Sequence, residues 1–227
     1  MTRNIAIVHY NTPELTMALV FSIRKNSPGC EITIFDNSDR RPIPRWFQGV
    51  NILDNTRGQI LDFERFLSHF PNKAPSVNNW GSAKHIRTID YLWDVFPDGF
   101  LLMDSDVLVK QDLSIFFDKE YPWVGEVHHN TRNNTVVRLL PYCLWMNVPV
   151  CLANGIRFMS LDRCDKLTRQ GPWYDTGASF YEDCLKAELS GHAVPLEPYI
   201  EHLAMASFKR TPEAAQAWLL KYRHLYE

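Results

Sequence analysis

The sequence has no apolar run of the roughly 18 residues that a membrane-spanning helix needs. Its amino-terminal stretch, MTRNIAIVHYNTPE, breaks into a polar turn too early for a signal peptide. These two absences predict a cytoplasmic chain without an integral membrane segment. No C-x-x-C pair occurs among Cys30, Cys143, Cys151, Cys164 and Cys184. Their odd number and irregular spacing predict reduced, buried thiols rather than a disulfide framework. A long basic run is also missing: 24 Lys and Arg against 26 Asp and Glu leave a net charge of −2, so electrostatics favour no nucleic-acid partner. Internal repeats, low-complexity tracts and linkers are absent too, and 227 residues fit one domain with a substantial core.

What is present is ordinary in bulk, at 45% hydrophobic and 22% charged residues. Aromatic residues, at 13% with seven Trp, are somewhat abundant. They pack cores more often than they line carbohydrate sites. The first hundred or so residues alternate short apolar runs with amphipathic helical patterns, which predicts a mostly parallel sheet covered by helices. Ile5–Val8 and Ile32–Phe35 read as strands buried on both faces, and a third strand is expected at Asn51–Leu53. Thr12-Pro13-Glu14 reads as a helix start, with Leu15, Leu19 and Ile23 on its core face and Gly29 at its end. Phe63, Leu67 and Phe70 mark a second helix, and Ile86, Ile89, Trp93 and Phe96 mark one side of a third spanning Asn78 to Phe96. Gly99–Met103 is the clearest strand and runs into Asp104-Ser105-Asp106. Beyond Lys110 the rhythm changes. Arg138 to Val150 is apolar and aromatic, Ala178 to Leu189 looks helical, and Pro212 to Tyr226 reads as a surface helix.

In open parallel sheets, ligands bind outside the carboxyl ends of the strands. Three such ends carry polar side chains: His9-Tyr10-Asn11-Thr12, Asp36-Asn37-Ser38-Asp39 and Asp104-Ser105-Asp106. Side by side they form an acidic crevice. Its carboxylates suit a ribose or base and a hard divalent cation, Mn²⁺ or Mg²⁺, whose shell diphosphate oxygens complete. Each motif alone also reads as an ordinary strand-end turn. The adjacent His128 and His129 would point to opposite faces of a strand and do not suggest a shared metal.

HYNT after the first strand, FDNSD after the second, and LLMDSDV after an NNWGSAKHIRTIDYL helix together resemble the family 2 glycosyltransferases with a GT-A fold. The resemblance is ordered over about the first 110 residues and continues more loosely through Tyr181-Glu182-Asp183 to His202. It implies one GT-A-type α/β domain over residues 1–227, with a nucleotide-sugar half (1–110) and an acceptor and catalytic half (111–227). It implies that Tyr10, Asn11, Asp36 and Asn37 hold the nucleoside, that Asp104 faces the ribose, and that Asp106 and His202 bind the metal. Lys84 and His85 stand where the family has an Arg-Asn or similar pair, on the diphosphate side. Asp183 would be the general base, with Glu182 and Asp175 as rivals. Arg138, Trp145, Asn147, Trp173 and Asp175 are candidates for the acceptor pocket on residue type and location. The implied reaction is metal-dependent sugar transfer from a nucleotide sugar, UDP-linked by preference, to a saccharide or other hydroxyl acceptor, with inversion by direct displacement.

Three other classes fit less well. A phosphatase of the haloacid-dehalogenase type places its D-x-D after the first strand with Thr two residues on, where this chain has Leu108. A sugar nucleotidyltransferase opens with a glycine-rich loop, and HYNTPE has no glycine. A non-catalytic nucleotide-sugar- or carbohydrate-binding descendant of the fold would not need three acidic strand ends.

Overall fold

The computed structural model describes residues 2–68, 80–129, 136–158, 175–204 and 211–227. The apolar runs become strands buried on both faces because they lie inside a sheet. β1 (Arg3–His9), β2 (Cys30–Asp36), β3 (Asn51–Asp54) and β4 (Phe100–Asp104) run parallel in the order β3-β2-β1-β4. The sheet continues through β7 (Arg138–Met146), β6 (Trp123–His128) and the two-residue β8 (His192–Ala193). β7 is antiparallel to both β4 and β6, and β8 is parallel to β6. A separate antiparallel pair joins β5 (Val107–Val109) to β9 (Ile200–His202). The result is the expected single α/β domain with a seven-stranded, mostly parallel sheet.

Alternation along the strands divides the core into two layers. Ile5, Ile7, Leu101 and Met103 face α1 (Pro13–Asn26), packing with Leu19 and Ile23. Ala6, Phe100 and Leu102 face α3 (Trp80–Val95) and α5 (Ala178–Lys186), packing with Ile86, Ile89, Trp93 and Phe180. The edge-to-face contact of Trp93 and Phe180, centroids 5.8 Å apart, joins those two helices. The remaining helices are α2 (Phe63–Ser68), α4 (Val148–Ala153) and α6 (Pro212–Lys221). None of the α6 residues is buried. Its downstream tail is clipped to the end of α1, where Lys25 Nζ donates to His224 O at 2.7 Å and Asn26 Nδ2 to Leu225 O at 3.0 Å.

Three expected boundaries move, among them that of α6, which ends at Lys221 rather than Tyr226. α1 ends at Asn26 with Ser27 as its cap, and Gly29, at φ 84°, instead forms the turn into β2. α5 ends at Lys186 rather than Leu189. Thr12 occupies the N-cap position of α1 but makes no side-chain cap bond. Its hydroxyl meets Ser105 Oγ at 2.9 Å, tying the start of α1 to the turn after β4. The described cysteines are all free thiols. Cys143, Cys151 and Cys184 are buried as expected, whereas Cys30 is half-buried at the start of β2. Phe70 lies outside the described residues.

His9 ends β1 fully buried, with Nδ1 2.7 Å from Thr16 Oγ1 and Nε2 3.2 Å from Arg41 O. The Thr16 hydroxyl donates in turn to Thr12 O at 3.2 Å, and Nε2–H donates to the Arg41 carbonyl. Burial, outweighing the attraction of Asp36, holds the His9 pKa below its ordinary value. Below about pH 6.5 the unfolded chain therefore takes up a proton here that the native state resists. This contribution to stability is full above that value and declines as pH falls toward the lowered native pKa. His9→Gln should cost about 1–3 kcal/mol but flatten the loss of stability on acidification. Denaturation midpoints of both proteins between neutral and mildly acidic pH test this, and parallel pH slopes would contradict it.

Candidate active site

The parallel register places three strand ends on one edge of the sheet. Val8 pairs with Asp104, His9 with Asp36, and Asp36 with Asp54. The chain then turns through Ser105 into β5, whose Val107 pairs with His202 of β9, while Leu203 N donates to Asp106 O at 2.9 Å. That pairing brings His202 Nε2 to 3.5 Å from Asp106 Oδ1. α3 contributes His85, whose Nε2 lies 3.1 Å from Asp104 Oδ1 in an ion-pair contact without hydrogen-bond alignment. At the start of β7 the Arg138 guanidinium pairs with the Asp175 carboxylate, two residues before Gly177 caps α5. Tyr142, also on β7, stacks on the His202 ring with centroids 4.0 Å apart and planes 29° apart.

These groups act on one another electrically. Burial alone would pull the His85 pKa down, but the fields of Asp104, Asp175 and Asp106 together raise it. Burial likewise pushes Asp104 up, and His85, His202 and Arg138 outweigh it, leaving the carboxyl below its ordinary range. Asp104 is thus an anion and His85 favours the cation. The Tyr142 hydroxyl, raised to about 12 chiefly by burial, stays protonated. No sequence motif singles out Tyr142. It lies in an irregularity of the β6–β7 pairing, where the five steps from Leu139 to Leu144 oppose the two from Gly125 to Val127. Such a bulge re-aims side chains.

On the nucleoside side, two expected residues are committed elsewhere. Asp36 is 2% exposed, and its carboxylate accepts from Ser38 N at 2.9 Å and Ile43 N at 2.8 Å. Asn37 donates to Thr88 Oγ1 and accepts from Asn55 Nδ2, both at 3.0 Å. Both residues build the loop after β2 rather than presenting a carboxylate or amide to a ligand. The exposed carboxylate in the turn directly after β2 is Asp39. It accepts from Asn11 Nδ2 at 2.6 Å and Tyr10 Oη at 3.4 Å, and the Asn11 bond leads in holding its pKa down. Asn11 adopts φ 57°, a left-handed conformation that Asn tolerates well. Lys84 is half-buried, its Nζ 5.5 Å from the centre of the Phe63 ring.

Among the acceptor candidates, Arg138 and Asp175 join the cluster. Trp145 does not: it is 3% exposed, packed edge-on against Phe117 at 5.5 Å, and pairs with Leu101 inside the sheet. Asn147 is also structural, since it caps α4 by accepting from Val150 N and donates to Lys119 O at 2.8 Å. Trp173 lies outside the described residues. Asp183 and Glu182 sit in the second turn of α5, the sixth and fifth residues of the helix. Asp183 is therefore roughly 9 Å along the axis from the capped end, and Glu182 pairs with Lys186 at 2.9 Å. His128 ends β6 and His129 follows it.

No family model and no curated protein matches the sequence. Solved structures do share its fold. The galactosyltransferase LgtC, in complex with donor and acceptor sugar analogs, superposes with a TM-score of 0.53 at 12% identity, covering 98% of this chain and 95% of that one. The apo glycosyltransferase GlyE of Streptococcus pneumoniae TIGR4 gives 0.51 at 13% identity, covering 97% of this chain but 64% of its own. The bifunctional glycosyltransferase WbbM gives 0.50 at 12% identity, with 86% of this chain and 39% of that chain covered. The likeness is one of fold, and it is to the GT-A-type sheet expected from the sequence.

Asp104→Asn should lower the His85 pKa, because the leading favourable field is removed while burial remains. Proton NMR titration of the histidine ring signals measures this, and an unmoved His85 would show that its field comes from elsewhere.

Proposed function

We propose that the chain transfers a sugar from a nucleotide-diphosphate sugar to an acceptor hydroxyl. The observation that supports this most is the convergence of Asp104, Asp106, His85 and His202 on the carboxyl edge of the sheet. A divalent cation fits the residues present. Asp106 offers a hard oxygen and His202 a borderline nitrogen, a mixed pair that suits Mn²⁺ better than Mg²⁺. Among the described residues, no three His, Cys, Asp or Glu side chains close a complete metal cage. The coordination left open suits phosphate oxygens and water. When bound, such an ion offsets the charge that builds on the departing diphosphate.

The chain's own residues then divide the work. Asp106 and His202 hold the ion, with Tyr142 supporting the plane of the imidazole. Asp104, anionic and fixed beside His85, accepts from ribose hydroxyls. His85 and Lys84 bring positive charge to the diphosphate. Tyr10, Asn11 and Asp39 form the nucleoside edge in place of Asp36 and Asn37. Arg138 and Asp175 face the acceptor side. Asp183 is the proposed general base, with Glu182 and Asp175 as rivals. The clamp on Asp175 weakens its candidacy, because its carboxylate is already committed to the Arg138 guanidinium.

The deciding experiment is a thermal-shift screen of UDP, GDP, dTDP and CMP sugars with and without Mn²⁺, UDP sugars first, followed by turnover with the stabilising donor. Asp106→Ala should abolish the Mn²⁺-dependent part of the stabilisation, and His202→Ala should weaken it. Full retention in Asp106→Ala would remove the metal assignment. Stabilisation by donors without turnover in any acceptor mixture would favour a binding protein of the same fold.

Asp183→Asn should reduce transfer about a hundredfold or more while leaving donor binding nearly unchanged, and Glu182→Gln should be milder. Collapse in Asp175→Asn alone would move the base there. Product NMR then reads the anomeric centre: inversion supports direct displacement with a carboxylate base, and retention overturns that course while leaving sugar transfer standing.

A further inference from the structure

Two buried polar residues near the crevice, His9 and Asp36, commit their side chains to one loop rather than to chemistry. His9 Nε2–H meets Arg41 O, and Asp36 accepts from Ile43 N. Asn11 Oδ1 accepts from Arg40 N at 3.0 Å and Arg41 N at 2.9 Å. From the other side, the Arg24 guanidinium donates to Gln48 O at 3.0 Å and Gly49 O at 2.8 Å. Gly49 is required there: its φ is 75°, and a Cβ would stand 2.5 Å from Arg24 Nη2. Ile43 and Phe47 are buried beneath the loop. Residues 40–49 are thus held from within by side chains of β1, α1 and β2.

This rigid loop presents an unusual surface. Trp46, at 68% exposed, is the most exposed of the large hydrophobic residues described. It stands edge-on to Phe47, which meets Phe21 at 5.8 Å, and Phe21 is itself 42% exposed. The Arg24 guanidinium lies 6.0 Å from the centres of both the Phe21 and Phe47 rings. Between Arg40 and Leu61 the chain carries Arg40, Arg41, Arg45 and Arg57 against the single acid Asp54, although the protein as a whole has a net charge of −2. All four arginines are exposed. Asp39 and Glu14 pair with Arg40 and Arg41, which leaves Arg45 and Arg57 against Asp54.

We propose that this ridge seats the protein on an anionic bilayer surface. An indole is stable at the depth of lipid headgroups, with its ring among the upper acyl chains and its N–H toward water. Guanidinium groups beside it pair with lipid phosphates and respond to the negative surface potential. A protruding tryptophan next to Arg45, in a segment with three further exposed arginines, supplies both signals, and neither needs a membrane-spanning helix. No described helix is long and apolar enough to be one. The binding does not depend on the sugar-transfer reading. If both hold, Asn11 and Asp39 place the nucleoside edge of the crevice next to the membrane.

Co-sedimentation of the purified protein with phosphatidylcholine vesicles, with and without phosphatidylglycerol, tests this. Binding is expected only to the anionic vesicles and should fall steeply with salt. Trp46→Ala should lower the partition about tenfold, and Arg40→Gln and Arg45→Gln about fivefold each. Leu220→Ala, at another exposed apolar residue, should change nothing. Vesicles should also shift the tryptophan emission of the native protein to the blue, and this shift should be lost in Trp46→Phe. Circular dichroism checks that each variant is folded. Absence of binding to anionic vesicles overturns the proposal. So does binding that Trp46→Ala leaves intact and that heparin competes away, which would mark a general cationic surface.

Discussion

β1 pairs residue for residue with β2 on one side and with β4 on the other, and the alignment of the polar strand ends follows from that register. A parallel neighbour aligns like ends of strands, so the polar residues after each strand emerge on the same edge. His9, Asp36 and Asp104 become neighbours although they are far apart in sequence. Shifting the register by one residue would turn Ile5 and Ile7 toward the wrong core layer. The two apolar layers therefore fix the edge as firmly as the backbone ladder does. The half-buried hydroxyl contact between Thr12 and Ser105 then fastens the first helix to the third of those ends.

What the edge assembles is electrostatically costly. Burying His85 with Asp104 removes charges from water, and such an arrangement seldom stabilises a fold more than a well-packed apolar substitute. The opposing shifts of the two groups are the physical sign of this: burial disfavours each charge, and the partner restores it. The partly buried Arg138–Asp175 pair adds to the same field, so four elements deliver charge to one place. A structure that tolerates this has its donors and acceptors oriented before any ligand arrives, which is the condition under which electrostatic catalysis is effective.

The sheet was legible from the sequence because its strands are continuous apolar runs bounded by turn residues, a pattern fixed by local chemistry. The same holds for Pro13 at the start of α1 and for the buried spacing of Leu15, Leu19 and Ile23. The carboxyl edge was legible because strand ends must lie together in a parallel sheet. The second half was less so. Arg138 to Met146 is apolar, aromatic and interrupted by Pro141, and nothing local says that Trp145 points into the core while Tyr142 reaches a histidine sixty residues on. A β7 irregularity and an antiparallel pairing decide it, and both are long-range. Trp145 and Asn147 were candidates by residue type, and packing removed them.

The residues after β2 show what separates an outward-facing carboxylate from one spent on the fold. Asp36 and Asp39 belong to one motif, three positions apart, and their composition does not distinguish them. Their hydrogen bonds do. Asp36 faces inward and receives two backbone N–H groups that would otherwise be buried without partners, so its charge is consumed in closing the loop. Asp39 faces outward and is aligned by Tyr10 and Asn11, side chains that could serve a ligand equally well. A substitution at Asp36 therefore acts through the fold: it loosens the loop that carries Asp39 on one side and Trp46 on the other. A loss of nucleotide binding in such a variant would not show contact between Asp36 and the nucleotide. The carboxylate to test for contact is the one the loop holds out.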